Sequence, residues 1–313
     1  MSVILLIALL ALLFYLIGLA ADLVIDNAQK IGRRLRWPIF TLGLLIGLLT
    51  SLPEFSLGIQ AVGQGDGALS FGNLTGGIIV LLGLVVGLSV LARGDLSTKH
   101  SFNVSEFLAV GAFIILPVAL SFDGNLSRAD GVILILGYIL LAWRFIRSRR
   151  KIEPEILTEN SSLTDATALL LVGVLAVVVI SRLILKFSLE LTDLLGVTQV
   201  VTGWIILAVG TNLPEIALAI RATKRKMREL SLGNLLGSAL GNSLVLGILA
   251  LPRGFVITVD NHLIWLGFFT LLLLLAFGWF SFTGRKLTRL EGLGLFLIYL
   301  IFVGGQLFFI FRI

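Results

Sequence analysis

Cysteine is absent from this sequence, and with it disulfides and thiolate metal sites. Histidine is nearly absent: His100 and His262 fall in loops and have no counterparts elsewhere, which leaves little for a histidine-based metal or catalytic centre. No nucleotide-binding P-loop, serine–histidine arrangement or H-E-x-x-H motif is present. Charge is scarce, at 13% of residues. The longest polar stretch, 148–163, with Arg149, Arg150, Lys151, Glu153 and Glu155, is a linker and not a domain. Period-two alternation is missing too, which argues against a membrane β-barrel.

What the chain has is apolar length: 58% hydrophobic residues and a mean hydropathy of +1.07. Ten stretches of bilayer-spanning size are expected, at 3–23, 38–61, 69–92, 104–121, 130–147, 164–186, 198–220, 231–251, 260–283 and 290–311. The first lacks a positive n-region and exceeds a signal h-region, so it reads as a membrane helix. Of the 24 Lys and Arg, 19 fall in one set of alternate loops and adjoining helix ends, leaving Arg128, Arg182, Lys186, Arg253 and Arg312 on the other side. The positive-inside rule then places both termini outside the cytoplasm. That distribution accounts for the net charge of +6 without a nucleic-acid partner. The partners expected are the lipid bilayer and inorganic cations.

Thr50-Ser51-Leu52-Pro53-Glu54 returns 161 residues later as Thr211-Asn212-Leu213-Pro214-Glu215. The same ungapped offset carries Gly72-Asn73 onto Gly233-Asn234, Gly76 onto Gly237, and Arg128, Gly131 and Tyr138 onto Arg289, Gly292 and Tyr299. The chain is a duplicated unit, 1–147 and 164–313, joined by the cytoplasmic linker. Five spans per copy is an odd number, so the second copy enters the membrane inverted. The loops agree: 62–67 has no basic residue, and its counterpart contains Lys224, Arg225, Lys226 and Arg228. The expected fold is therefore all-α and integral to the membrane, with ten transmembrane helices in two inverted five-helix repeats. Such repeats are typical of secondary transporters, whose sites lie near the midplane.

Each copy interrupts a hydrophobic helix with Leu-Pro-Glu. Proline frees the backbone carbonyls of the preceding turn, and in lipid those need partners. A cation supplies one. Glu54 and Glu215 add negative charge, Thr50, Ser51 and Thr211 hydroxyls, and Asn212 an amide oxygen. This hard-oxygen inventory suits Na⁺ or Ca²⁺. The following helix carries Gly72-Asn73-x-x-Gly76 in one copy and Gly233-Asn234-x-x-Gly237-Ser238-x-x-Gly241-Asn242 in the other. Gly76 and Gly237 permit close helix packing. Asn73 and Asn234 either bond exposed backbone or offer ligand oxygens, and Ser238 and Asn242 are the better ligand candidates. Asp130 and Glu291 sit at helix starts, where acids favour the dipole.

At these residues the chain resembles the cation/calcium exchanger superfamily, most closely its prokaryotic sodium/calcium exchanger-like branch. The family's alpha repeats read approximately G-T-S-L-P-E followed by G-N-x-x-G-S-N-I-x-[ND]; here they fall within 49–83 and 210–244. The resemblance implies alternating-access antiport of Na⁺ and Ca²⁺ in a prokaryotic plasma membrane, with no cofactor. It implies Glu54 and Glu215 as principal Ca²⁺ ligands, joined by oxygens of Thr50 and Thr211. Ser51, Asn212 and Ser238 would shape flanking Na⁺ sites, and Asn242 stands where the family has a midplane Asn or Asp. The first copy departs from the pattern with Gly77 for serine, Ile78 for asparagine and Leu81 for Asn/Asp; Leu49 replaces a glycine and Asn212 a serine. Two candidate oxygen ligands are thereby lost. A proton on one glutamate can take the place of an ion, which makes cation/proton exchange (Ca²⁺/H⁺ or Na⁺/H⁺) the alternative. Two readings from other classes are an intramembrane enzyme using Glu54 and Glu215 as an acid/base pair, and a transport-inactive protein retaining the fold.

Overall fold

The structure is a computed structural model and describes residues 3–34, 51–94, 96–97, 104–148, 162–197, 202–212, 232–284 and 286–311. Thr50, Leu213, Pro214, Glu215, the side chain of Asn234, His100 and most of the linker, 149–161, lie outside the described residues.

Apolar sequence becomes helix almost throughout. In order these are α1 (Val3–Arg34), α2 (Leu52–Gln64), α3 (Gly67–Ile79), α4 (Val86–Arg93), α5 (Val104–Leu120), α6 (Arg128–Ser148), α7 (Leu163–Leu195), the short α8 (Ala208–Thr211), α9 (Leu232–Ala250), α10 (Asn261–Thr283) and α11 (Arg289–Phe311). A π-helical segment, Val80–Val85, joins α3 to α4, and another, Gly203–Leu207, leads into α8. Among the described residues six stretches are long and apolar enough to cross a membrane: Val3–Gly32, Gly67–Ala92, Val104–Asp123, Leu163–Leu195, Asn261–Thr283 and Arg289–Phe309.

Two helices outrun the spans expected from hydropathy. α1 continues to Arg34 and α7 to Leu195, 32 and 33 residues. At about 1.5 Å per residue each exceeds a hydrocarbon core of roughly 30 Å. The polar segments 24–34 and 187–195 contain no proline, so hydropathy falls there while the backbone stays helical. α7 stops where Gly196 turns left-handed at φ 63° and closes the helix C-terminus.

Polarity is arranged inside out relative to a water-soluble protein. Ile4, Leu175, Trp279 and Leu290 are 82%, 65%, 70% and 81% exposed, while Thr211 and Gln306 are fully buried. Lipid rewards the first set, and the second must find partners within the protein.

Elements related by the 161-residue offset pack on one another. α1 lies along α7, where Gly173 abuts Val24 and the Ala20 carbonyl. α5 and α10 run antiparallel, with Phe107 against Gly278 and Val118 against Gly267. Two further crossings form a matched pair: Gly87 of α4 approaches the carbonyl of Gly292 on α11, and Gly247 of α9 approaches that of Gly131 on α6. Small strands do likewise. β1 (Leu96–Ser97) pairs antiparallel with β4 (Lys286–Leu287), and β2 (Asn125–Leu126) with β3 (Phe255–Val256). The acids expected at helix starts are there, in reciprocal caps. Ser127 donates its N–H and hydroxyl to the Asp130 carboxylate, 2.8 and 2.7 Å, and Thr288 does the same to Glu291, 2.7 and 2.9 Å.

Candidate cation-binding site

The two helix breaks have the same backbone. Ser51, immediately before α2, has φ −86° and ψ 9°, and its counterpart Asn212, immediately after α8, has φ −88° and ψ 10°. Backbone in this sparsely populated region stands just outside the helix, before the start of α2 and after the end of α8. Pro53 sits in the first turn of α2, where its missing N–H has no helical partner to lose. Glu54 follows it, so its carboxylate lies among free amides at the positive end of the helix dipole.

Glu54 is 2% exposed, and its Oε2 has no hydrogen-bond partner among the described residues. Beside the carboxylate are its own backbone N–H and the hydroxyl of Thr211, from the other half of the chain. That hydroxyl also lies 3.3 Å from Asn73 Oδ1. It carries one proton and faces two acceptors. Acceptor oxygens are therefore in surplus, in a buried place, around a carboxylate. A cation relieves such a surplus, and so does a proton on the carboxylate.

The remaining described candidates sit close by in sequence and are all buried: Ser51 and Ser238 at 4%, Asn212 and Asn242 at 2%, Asn73 at 1%. The structure brings Glu54, Asn73 and Thr211 into one group. Asn212 and Asn242 form a second, their amide nitrogens both facing Gly77 of α3. Asn212 Nδ2 donates to the Ala208 carbonyl at 2.8 Å, and Asn242 Nδ2 crosses to the Leu74 carbonyl at 3.2 Å. Leu81, which occupies the place matching Asn242, is 1% exposed and joins the apolar core. Gly76 behaves as expected of a packing glycine, since a Cβ there would lie 2.8 Å from Trp204 Cα. Among the described residues nothing lies within 4 Å of the Gly237 Cβ position.

Sequence reasoning passed over three features. Gly203 packs against the backbone of α3, its Cβ position 2.6 Å from the Leu69 carbonyl and 2.7 Å from the Asn73 nitrogen. Trp204 Nε1 donates to the Thr75 hydroxyl at 3.1 Å, tying the π segment to α3. His262, placed by the sequence in a loop, is in the first turn of α10. It is 7% exposed, has its Nδ1 2.6 Å from Gln306 Oε1, and lies between Trp204 and Phe309. Asp260 caps that helix by accepting from Leu263 N, and the expected span 260–283 already took in His262. None of the three has a mate at the 161-residue offset, which was the signal relied on.

An all-helical protein with a lipid-compatible exterior, and a buried carboxylate, hydroxyl and amides gathered from both halves at two helix breaks, is a membrane transporter of small ions. The family model for sodium/calcium exchanger proteins matches residues 5–147 and again 166–308, and the chain belongs to that family. The two matched stretches are themselves 161 residues apart. The sodium/calcium exchanger MaX1 of Methanosarcina acetivorans is 25% identical over 346 residues, covering 95% of this chain and 97% of its own. A Ca²⁺/H⁺ antiporter of Synechocystis is 30% identical over 237 residues, 63% of each chain. The solved structure of the sodium-calcium exchanger NCX_Mj soaked with 10 mM Na⁺ and 10 mM Sr²⁺ superimposes with a TM-score of 0.66 at 25% identity, covering 97% of this chain and 99% of that one. These relatives are transporters, not enzymes.

Proposed function

We propose that this protein is a secondary antiporter that exchanges Ca²⁺ for Na⁺ by alternating access, with ten transmembrane helices in two inverted repeats. The observation that carries the reading is Glu54, buried, with one carboxylate oxygen unpartnered among the described residues and Thr211 of the other repeat beside it. Glu54 and Glu215 are the principal Ca²⁺ ligands, with Thr50 and Thr211, and Ser51 and Ser238 flank them. The antiparallel packing of equivalent helices α5 and α10 supports inversion, as do the paired strands. Both termini face away from the cytoplasm of a prokaryotic plasma membrane.

Proteoliposomes test this directly. An outward Na⁺ gradient drives uptake of radioactive Ca²⁺, and Glu54→Gln and Glu215→Gln each raise half-saturating Ca²⁺ by more than about tenfold. If no gradient moves any cation, the reading fails. Similarity to a Ca²⁺/H⁺ antiporter favours a second reading in which protons are the counter-ion; uptake driven by a pH gradient and indifferent to Na⁺ selects it. Inversion has its own test, because the chain is free of cysteine. Single cysteines replacing Gln64, exposed at the end of α2, and Lys224 react with an impermeant reagent from opposite sides of the membrane. Labelling of both from one side refutes inversion.

A further inference from the structure

Against the family pattern Asn212 and Gly77 are departures, an enlarged residue and a lost serine, and Asn242 is a retained amide. In space they meet. A Cβ at residue 77 would stand 2.8 Å from Asn242 Nδ2 and 3.1 Å from Asn212 Nδ2, both closer than ordinary contact. Two amide nitrogens from the second repeat thus occupy the place of a side chain in the first.

Both nitrogens are engaged as donors. Asn212 Nδ2 caps the carbonyl of Ala208, four residues back, at 2.8 Å, just before the Leu-Pro-Glu break. Asn242 Nδ2 reaches 3.2 Å to the carbonyl of Leu74 in the opposite repeat. Both residues are 2% exposed. With the nitrogens bonded and turned to Gly77, this wall of the site presents N–H groups, while Glu54, Asn73 and Thr211 present the acceptors.

Resting on the transporter reading above, we infer that Asn212 and Asn242 serve this site through their amide nitrogens, as positioning residues. Asn212 holds the end of α8 through the Ala208 carbonyl, Asn242 ties α9 to α3 through the Leu74 carbonyl, and residue 77 is glycine because those nitrogens fill its side-chain space. Whatever their oxygens do, it is the donor end that the site requires.

Aspartate separates the two ends of the amide. It keeps the shape and the oxygen and adds charge, but sets an acceptor against the Ala208 or Leu74 carbonyl. Serine at 212 does the reverse: it loses the amide oxygen and keeps a donor able to reach four residues back. Thr75, Ser89 and Thr192 make that bond in this chain, to Phe71, Val85 and Ser188, at 2.6, 2.6 and 2.7 Å.

The test is radioactive Ca²⁺ uptake by the full chain in proteoliposomes under a Na⁺ or pH gradient, read as maximal rate and half-saturating Ca²⁺. Asn212→Asp and Asn242→Asp each lower the maximal rate at least about tenfold, as expected for a lost buried donor bond, without lowering half-saturating Ca²⁺. Asn212→Ser is faster than Asn212→Asp by a similar factor. Gly77→Ala is slow, and combining it with Asn212→Ser recovers part of the rate. Aspartate variants that transport as fast as the unmodified protein and bind Ca²⁺ more tightly overturn the inference. So does an Asn212→Ser variant no better than Asn212→Asp, whatever the folding yield of the aspartate proteins. If the unmodified protein moves no cation, it is the transporter reading that has failed. The amide roles are then read from melting temperatures, where Asn212→Ser must lie above Asn212→Asp, and the reverse order refutes them.

Discussion

Glutamine in place of Glu54 keeps the side chain's shape and removes its charge, and the structure sets two consequences of opposite sign. The first concerns the ion. At a carboxylate–calcium separation of about 2.4 Å and an effective dielectric of about 20, a single negative charge attracts a divalent cation by roughly 14 kcal/mol. Most of that is offset by stripping water from both partners, and a glutamine oxygen still coordinates. Removing one member of a buried charge pair leaves a loss of about 3–5 kcal/mol, which is roughly a 150- to 5,000-fold rise in half-saturating Ca²⁺. The second concerns the ion-free protein. There Glu54 Oε2 is buried without a partner among the described residues, and one Thr211 proton faces both the carboxylate and Asn73 Oδ1. A glutamine amide brings donors to that acceptor surplus, so the ion-free melting temperature rises by a few degrees, on the order of 1–3 kcal/mol. Radioactive Ca²⁺ uptake measures the first effect, and melting in detergent with chelator, then with added Ca²⁺, measures the second. A half-saturation shifted less than about tenfold, or an ion-free protein that melts lower than the original, would refute the argument that Glu54 stands ready for a cation.

Other consequences follow from the packing. Gly203→Ala drives a methyl into the Leu69 carbonyl and the Asn73 nitrogen, backbone atoms that cannot step aside, and lowers stability by about 1–3 kcal/mol; Gly63→Ala, with nothing within 4 Å among the described residues, leaves the melting temperature unchanged or higher. Thr75→Val strands the Trp204 N–H and costs about 1–3 kcal/mol, and adding Trp204→Phe restores part of it in a melting experiment. Ser127→Ala and Thr288→Ala each remove a helix cap worth about 0.5–2 kcal/mol, and the double variant shows their sum, because the two caps share no partner. A double variant no worse than either single one would contradict the independence of the caps.

Much of the fold was legible because membrane helices obey rules written in composition. Each expected span has helix at its described residues, and among the described boundaries those of α1 and α7 run furthest past expectation, where polar residues continue a helix that hydropathy cannot see. The buried carboxylate and its hydroxyl partner were legible too: Glu54 and Thr211 both belong to the repeated motif, and comparing the copies pointed to them. What escaped was anything present once. The Trp204–Thr75 bond, the His262–Gln306 pair and the Ser56–Ser181–Gln60 cluster between α2 and α7 each join residues without a mate at the repeat offset. Gly77 escaped for a different reason. Sequence comparison registers it as a missing serine, and only distance shows two amide nitrogens in the space.

That contrast explains how a duplicated chain can carry an unequal site. Some contacts in the scaffold serve each half alike, and both copies keep them. The caps at Ser127–Asp130 and Thr288–Glu291 match residue for residue, and the glycine crossings at Gly87–Gly292 and Gly131–Gly247 answer each other. A cation held between the halves is needed once. Its ligands and supports have only to be complete in total, and one copy can lose a group if the other fills the space. Asn242 reaches Leu74 from the second repeat while Leu81 joins the core of the first, and Asn212 grows where Gly77 shrinks. On the proposed function, departures from repeat symmetry at Asn212, Asn242, Gly77 and Leu81 cost nothing so long as the shared site is complete, while the two caps and the two glycine crossings keep the symmetry of the halves.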